Sequence, residues 1–206
     1  MTSNDPSGKQ REVAARPSFN TGRAVAMLAA FCSSAGYAAE TYTIDPRHTF
    51  PLFEVSHYGF STQRGRFERT RGKITIDVES RTGSIDVEID AASISMGIDA
   101  WNKQMRSEAY FNTEAFPVIT FRSNRLVFDG GRLTGAEGDF TLLGVTRLLN
   151  LTVANFNCGA NPISKQPQCG AEASTRLKRS DFGMTHALPG ISDEVRILIG
   201  IEATKD

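Results

Sequence analysis

Residues 73–90 read Lys73-Ile-Thr-Ile-Asp-Val-Glu-Ser-Arg-Thr-Gly-Ser-Ile-Asp-Val-Glu-Ile-Asp90. Apolar and polar residues alternate through 73–78 and again through 84–90, the period of a strand with one face buried and one wet. Glu79 to Gly83 interrupts the alternation with turn-forming residues, so the stretch predicts an antiparallel hairpin with Gly83 supplying the unusual dihedral. The same rhythm runs outward in both directions. Phe53, Val55 and His57 alternate with Glu54 and Ser56, and Val118–Phe121, Leu126–Phe128, Leu133–Leu143, Thr146–Phe156, Ala171–Lys178 and Glu194–Glu202 follow. Asp129-Gly130-Gly131 and Gly144 mark turns between them. About eight such strands, with no internal repeat, predict an all-β chain folded as an eight-stranded antiparallel barrel. A two-sheet sandwich is the alternative on pattern alone.

One segment breaks the pattern. Residues 99–109, Asp-Ala-Trp-Asn-Lys-Gln-Met-Arg-Ser-Glu-Ala, carry helix formers, with Ala100, Met105 and Ala109 on one face and Asp99 as cap. They predict one short helix over an end of the barrel.

The chain has 206 residues, 23 basic against 23 acidic. That length suits one domain, and the neutral balance gives no basic stripe for nucleic acid. No apolar run reaches the ~18 residues of a membrane-spanning helix. Near the start, residues 24–32 are small or apolar, follow Arg11, Arg16 and Arg23, and lead into Ser33-Ser-Ala-Gly-Tyr-Ala-Ala39. This is the layout of a secretory signal, with cleavage expected after Ala38. The reading is therefore a signal peptide with a long polar leader over 1–38 and a barrel domain over 39–206. Cys32 falls within the signal, which leaves Cys158 and Cys169 on either side of a loop-rich segment. With no CxxC pair and no histidine nearby, an exported chain is expected to join them as a disulfide.

The sequence offers little catalytic chemistry. His48, His57 and His186 are dispersed, with no HxH or HExxH spacing, so no metal centre is expected. No GxSxG elbow is present, and Asp45, Glu54, Asp99 and Asp181 read as solvated or capping carboxylates. His57 shares parity with Phe53 and Val55 and is expected to point inward. Inward parity elsewhere falls on Phe67, Ile74, Ile76, Val87, Ile89, Phe121, Phe140, Leu142, Val153 and Ile199. These bulky apolar residues build a core or, in a barrel, the wall of a ligand cavity.

Several stretches resemble the YceI-like family of polyisoprenoid-binding proteins. They are Tyr42-Thr-Ile-Asp-Pro-Arg-His48 with Phe53-Glu-Val-Ser-His-Tyr-Gly59, then Gly65-Arg66-Phe67 and Ala91-Ala-Ser-Ile-Ser95. Arg106-Ser-Glu-Ala-Tyr-Phe111 follows, running into Phe116-Pro-Val-Ile-Thr-Phe121, and then Gly138-Asp-Phe-Thr-Leu-Leu-Gly-Val-Thr146. The resemblance covers residues 41–203. It implies a lipocalin-like extended barrel around a hydrophobic tunnel, an isoprenoid lipid or quinone as ligand, and a periplasmic location. Residues 99–105 depart from the family's acidic, histidine-rich stretch.

The resulting expectation is a periplasmic, non-enzymatic carrier without cofactor, whose partner is the isoprenoid lipid or quinone itself. Phe53, Val55, Phe67, Ile76, Phe121, Phe140 and Leu142 form its wall, and His57 and Arg66 meet the head group. Its rivals are an envelope enzyme using a His57/Asp45 pair on a polyprenyl or quinone substrate, and a partner module of a membrane electron-transfer protein. The oligomeric state is left open, with a homodimer as one option.

Overall fold

A computed structural model describes residues 39–206, so the signal sequence read from 1–38 lies outside the described residues. Eleven strands are present: β1 Glu40–Ile44, β2 Phe50–His57, β3 Ser61–Phe67, β4 Thr70–Asp77, β5 Thr82–Asp90, β6 Ile94–Ser95, β7 Val118–Asp129, β8 Arg132–Leu142, β9 Val145–Ala160, β10 Pro167–Lys178 and β11 Glu194–Lys205. All pair antiparallel in one sheet, and β1 also pairs with β11, which closes the ring. The ring β1-β4-β5-β7-β8-β9-β10-β11 is an eight-stranded barrel. It does not open into a sandwich.

The extra strands are extensions of the first three staves. β11 pairs with β1 through Ala203–Lys205 and with β2 through Arg196–Gly200, so β1 and β2 are one stave broken at residues 45–49. β3 and β4 are a second stave, broken at Glu68-Arg69, and β5 and β6 a third. Two of the breaks are tied by one side chain. Ser93 Oγ donates to Asp90 O at 2.6 Å and accepts from the backbone N–H groups of Glu68 and Arg69, each at 3.1 Å. Asp90 caps the same 3-10 turn, its Oδ1 accepting from Ala92 N at 2.8 Å. This gives the motif 91–95 a physical role: its serine takes up backbone N–H groups where the ladder stops, Glu68 N also donating to Ser93 O at 3.1 Å.

The hairpins follow the turn chemistry read from the sequence, with one exception. Gly130 (φ 53°) with Gly131 (φ 84°), and Leu143 (φ 52°) with Gly144 (φ 74°), are two-residue connections with both central dihedrals positive. That combination matches the right-handed twist of the flanking strands. In the β4–β5 turn the positive φ belongs to Arg81 (58°), whereas Gly83 is already within β5. Gly83 is required for space instead. A Cβ there would lie 2.3 Å from Thr75 O and 2.5 Å from Leu126 Cδ1.

The helix α1 spans Asp99–Arg106, shorter than the expected 99–109. Asp99 is its first helical residue; Ile98 occupies the cap, and Asp99 makes no capping bond. Ala100 and Ala109 are exposed. The cavity-facing side is formed by Trp101, Gln104 and Met105, at the i, i+3, i+4 spacing of one helical face, and no residue of the helix is fully buried.

The interior has two parts. A large cluster around Phe67, Phe111, Phe121, Phe140 and Phe182 occupies the body of the barrel. A smaller one, Tyr42, Ile76, Cys169 and Ala203 backed by Leu126, Phe128, Leu133 and Phe156, plugs the end that carries the chain terminus. Cys158 and Cys169 face each other across β9 and β10 at that end and form the disulfide, with Cα atoms 4.1 Å apart. Both cysteines lie in strands, and the loop between them occupies residues 161–166.

Candidate functional site

Above the plug the barrel encloses a cavity of about 430 Å³, within the ordinary range of roughly 300–1,000 Å³ for small-molecule sites. Its wall is overwhelmingly apolar. Isoleucines 44, 74, 85, 197, 199 and 201 line it together with Phe53, Phe67, Phe111, Phe121 and Phe140. Except for Phe111, which comes from the turns after α1, these positions follow from the period-two pattern, because strands that alternate must direct one set of side chains into a closed barrel.

Of the nine residues expected to contact a ligand, seven are on this wall: Phe53, Val55, His57, Phe67, Phe121, Phe140 and Leu142. Two are not. Ile76 shares their parity but lies in the plug below the cavity, 5% exposed against Tyr42 and Ala203. Arg66 occupies the outward parity of β3, where its guanidinium pairs with Glu68 at 3.0 Å and lies over the Phe50 ring. Phe67, the next residue, takes the inward position. Val153, also read as inward, is not on the wall. The suggested His57/Asp45 pair does not form: Asp45 is held by Arg47 and His48, with His48 Nδ1 2.8 Å from its Oδ2.

The mouth lies at the opposite end from the plug. Tyr58 and Trp101 both line the cavity and are 59% and 39% exposed, so the opening runs between the β2–β3 turn and α1. Phe60 and Ile98 stand beside it, 91% and 52% exposed. Gly65 lets the wall narrow here, since a Cβ would fall 2.4 Å from both the Phe53 ring and Met96 Sδ.

Polar groups are few. His57 packs edge-on against Tyr58, and Tyr110 against His186, with ring centroids 4.8 and 5.1 Å apart. Burial pushes the Tyr110 hydroxyl above its ordinary pKa. Arg179 is 3% exposed and reaches the cavity from the turn after β10. Its Nε donates to Ser192 O at 2.9 Å, Nη1 to Met184 O at 3.1 Å and Nη2 to Ile191 O at 2.9 Å. Among the described residues no carboxylate lies within salt-bridge distance of it, and burial holds its pKa below the usual arginine value. Thr49 and Thr70 are 1% and 3% exposed, and Gln63, Gln104 and Thr175 are further polar side chains on the wall. Sequence reasoning missed Arg179 because Lys178-Arg179-Ser180-Asp181 reads as a solvated charged run. Thr70 was missed as well, although its parity with Ile74 is a signal that points inward.

No group of histidine, cysteine and carboxylate side chains that could hold a metal occurs among the described residues. The arrangement can exclude water from a long apolar molecule and present a few polar atoms at its mouth.

Comparison with known proteins agrees with this geometry. Residues 42–203 match the model of the YceI-like domain. Protein YceI of Escherichia coli O157:H7 is 32% identical over 182 residues, covering 86% of this chain and 94% of that protein. A UPF0312 protein of Photorhabdus laumondii is 31% identical over 171 residues, 82% of this chain and 88% of that one. Among solved structures, BcnA of Burkholderia cenocepacia superposes with a TM-score of 0.66 at 23% identity, over 78% of this chain and 99% of its own. A polyisoprenoid binding domain from Saccharophagus degradans, implicated in plant cell wall breakdown, gives 0.59 at 18% identity, over 80% and 98%.

Proposed function

Because this chain belongs to the YceI-like family, we propose that it is a periplasmic carrier that sequesters an isoprenoid lipid or quinone in its barrel. The observation that carries the reading is the closed-ended cavity, walled almost entirely by aliphatic and aromatic side chains. At roughly 25 cal/mol per Å² of apolar surface removed from water, a prenyl chain needs little polar chemistry to be held there. The polyisoprenoid binding domain of Saccharophagus degradans shares the fold and supports this choice of ligand. The signal-like sequence before residue 39 and the disulfide both suit an oxidising compartment. On this reading the protein binds without turnover.

The test is organic extraction and mass spectrometry of protein purified from its native envelope. A prenyl lipid or quinone is expected at near-stoichiometric yield. Protein that carries no lipid, and takes none up from added prenyl compounds, would overturn the proposal.

A further inference from the structure

Three segments meet at the mouth: residues 57–63 around the β2–β3 turn, residues 96–102 leading into α1, and residues 183–191 on the way to β11. They carry one Asp, Glu, Lys or Arg between them, Asp99, in a chain that is 22% charged. None of the ion pairs among the described residues reaches them. Phe60 and Ile98 stand out from two of these segments, and the Tyr58 and Trp101 rings join them to the cavity lining. Single exposed apolar side chains are ordinary on a protein surface, and Leu148 and Ile163 are two of them. Four around one opening, three of them aromatic, form a patch instead.

The rim holds these side chains outward. Tyr58 (φ 51°) and Gly59 (φ 73°) are both left-handed, and Phe60 N donates to His57 O at 3.0 Å, which closes a tight turn. Left-handed backbone is uncommon for a bulky residue, so the turn itself does not call for an aromatic at 58. The neighbouring segment fixes it there: Tyr58 N donates to Gly190 O at 2.6 Å, and a Cβ at Gly190 would fall 2.4 Å from the Tyr58 ring. Met96 N donates to Asn102 Oδ1 at 2.6 Å, folding the corner that carries Ile98. Behind the tip, charge resumes as a collar in which Arg64 and Arg196 both pair with Glu54.

We propose that the mouth is a membrane-docking surface, at which Phe60 and Ile98 enter the boundary between head groups and acyl chains while Tyr58 and Trp101 lie at its polar edge. The depth fits. Arg64 follows Phe60 by four residues, about 13 Å at the rise of a strand, and an interfacial element buries its apolar face by roughly 5–10 Å. The Glu54 collar therefore stays among the head groups. A lipid surface suits this rim better than a protein does, because the apolar side chains stand on separate turns around an opening, and a fluid interface closes over such a shape without a complementary mould. With Asp99 as the one formal charge, apolar insertion drives the contact, and zwitterionic lipid serves as well as anionic. The docking surface stands on the rim alone and goes beyond the carrier reading. Taken with that reading, it gives an apolar molecule a path from bilayer to cavity that does not cross water.

The test is co-sedimentation of the purified protein with phosphatidylcholine vesicles, read alongside the emission of Trp101, the chain's only tryptophan. Wild type is expected to sediment with the vesicles in low and high salt alike, with Trp101 emission shifted to the blue and quenched by brominated acyl chains. Phe60→Ser and Ile98→Ser, at exposed sites off the cavity wall, each weaken the partition about tenfold and leave the melting temperature unchanged. Ile163→Ser, as exposed as Phe60 but in the loop at the plugged end, changes neither. Binding that needs added phosphatidylglycerol and is lost in high salt overturns the proposal, as does partition that survives both rim substitutions. A Trp101 shift without sedimentation marks lipid inside the barrel; it overturns docking and leaves the carrier reading intact. A dimer in analytical ultracentrifugation that Phe60→Ser dissociates, with no vesicle binding, overturns it in favour of a second copy at the rim. Rim-dependent vesicle binding by protein that takes up no prenyl compound keeps the docking surface and removes the carrier reading.

Discussion

Val55 and Ser56 are adjacent on β2 and face opposite ways: Val55 lines the cavity, and Ser56 is exposed. A carboxylate at 55 would be buried among apolar side chains, at a cost of several kcal/mol or with its proton retained. Val55→Asp is therefore expected to abolish co-purification of lipid and to lower the melting temperature, whereas Ser56→Asp does neither. Lipid analysis and a thermal melt of the two variants decide it, and equal behaviour would refute the facing of this strand. Asp45 gives a pH-dependent counterpart. The Arg47 guanidinium first, then the Arg47 backbone N–H and His48, hold its carboxyl well below the usual carboxylate range despite partial burial. A depressed carboxylate contributes its stability fully above its unfolded pKa of about 4 and loses it as the pH falls. Asp45→Asn should thus cost about 1 kcal/mol at neutral pH, with the difference between wild type and variant shrinking in acid melts as the pH falls below about 4 and vanishing only where the folded carboxyl itself takes up its proton. Residue parity was the legible part of the site. Alternation placed His57 and six apolar wall residues, but it carries no information about depth, so Ile76 in the plug read the same as Phe67 beside the cavity. Arg66 was assigned by its charge, against its parity, and its parity was the better guide.

At the scale of elements, β9 and β10 are joined by the disulfide at the plugged end. Closing a loop of this size removes about 3 kcal/mol of freedom from the unfolded chain. Cys158→Ser with Cys169→Ser is expected to lower stability by about 2–4 kcal/mol in denaturant, with lipid binding at the far mouth retained. Loss of binding in the folded double variant would contradict the separation of plug and cavity. The strands with clean alternation were legible, along with the turns at Gly130 and Gly144. The broken staves were not. β1 and β3 carry Tyr42-Thr-Ile and Ser-Thr-Gln-Arg-Gly, which are short or polar, and their strand state comes from pairing with β4, β11 and β2. The helix was legible as a helix. Its facing was not, because the cavity-side face uses Trp101 and Gln104, neither of which marks a buried stripe by hydropathy.

Across the whole molecule, strand number and length favoured a closed sheet, which removes its own edges, but left a two-sheet sandwich open until the β1–β11 pairing decided it. The side on which the ring is sealed depends on register, which alternation does not encode. That seal is β11. On one side Glu194–Lys205 pairs with β10 along its length, and on the other it holds both β1 and β2. The first strand and the last therefore meet, and this gives the seam a meaning in time. While the chain is being made, β1 and β2 wait with bare edges until residues 194–205 exist, since loop closure over nearly the whole domain must come before the contact that rewards it. No enclosed interior, and so no cargo space, exists before that moment. A chain stopped ahead of Glu194 should behave as an open sheet with two sticky edges, collecting in sedimenting aggregates rather than as a soluble, leaky carrier. Soluble, lipid-retaining protein from such a truncation would show that the seam is dispensable. The twelve residues of β11 are, in folding terms, the step at which a sheet becomes a container.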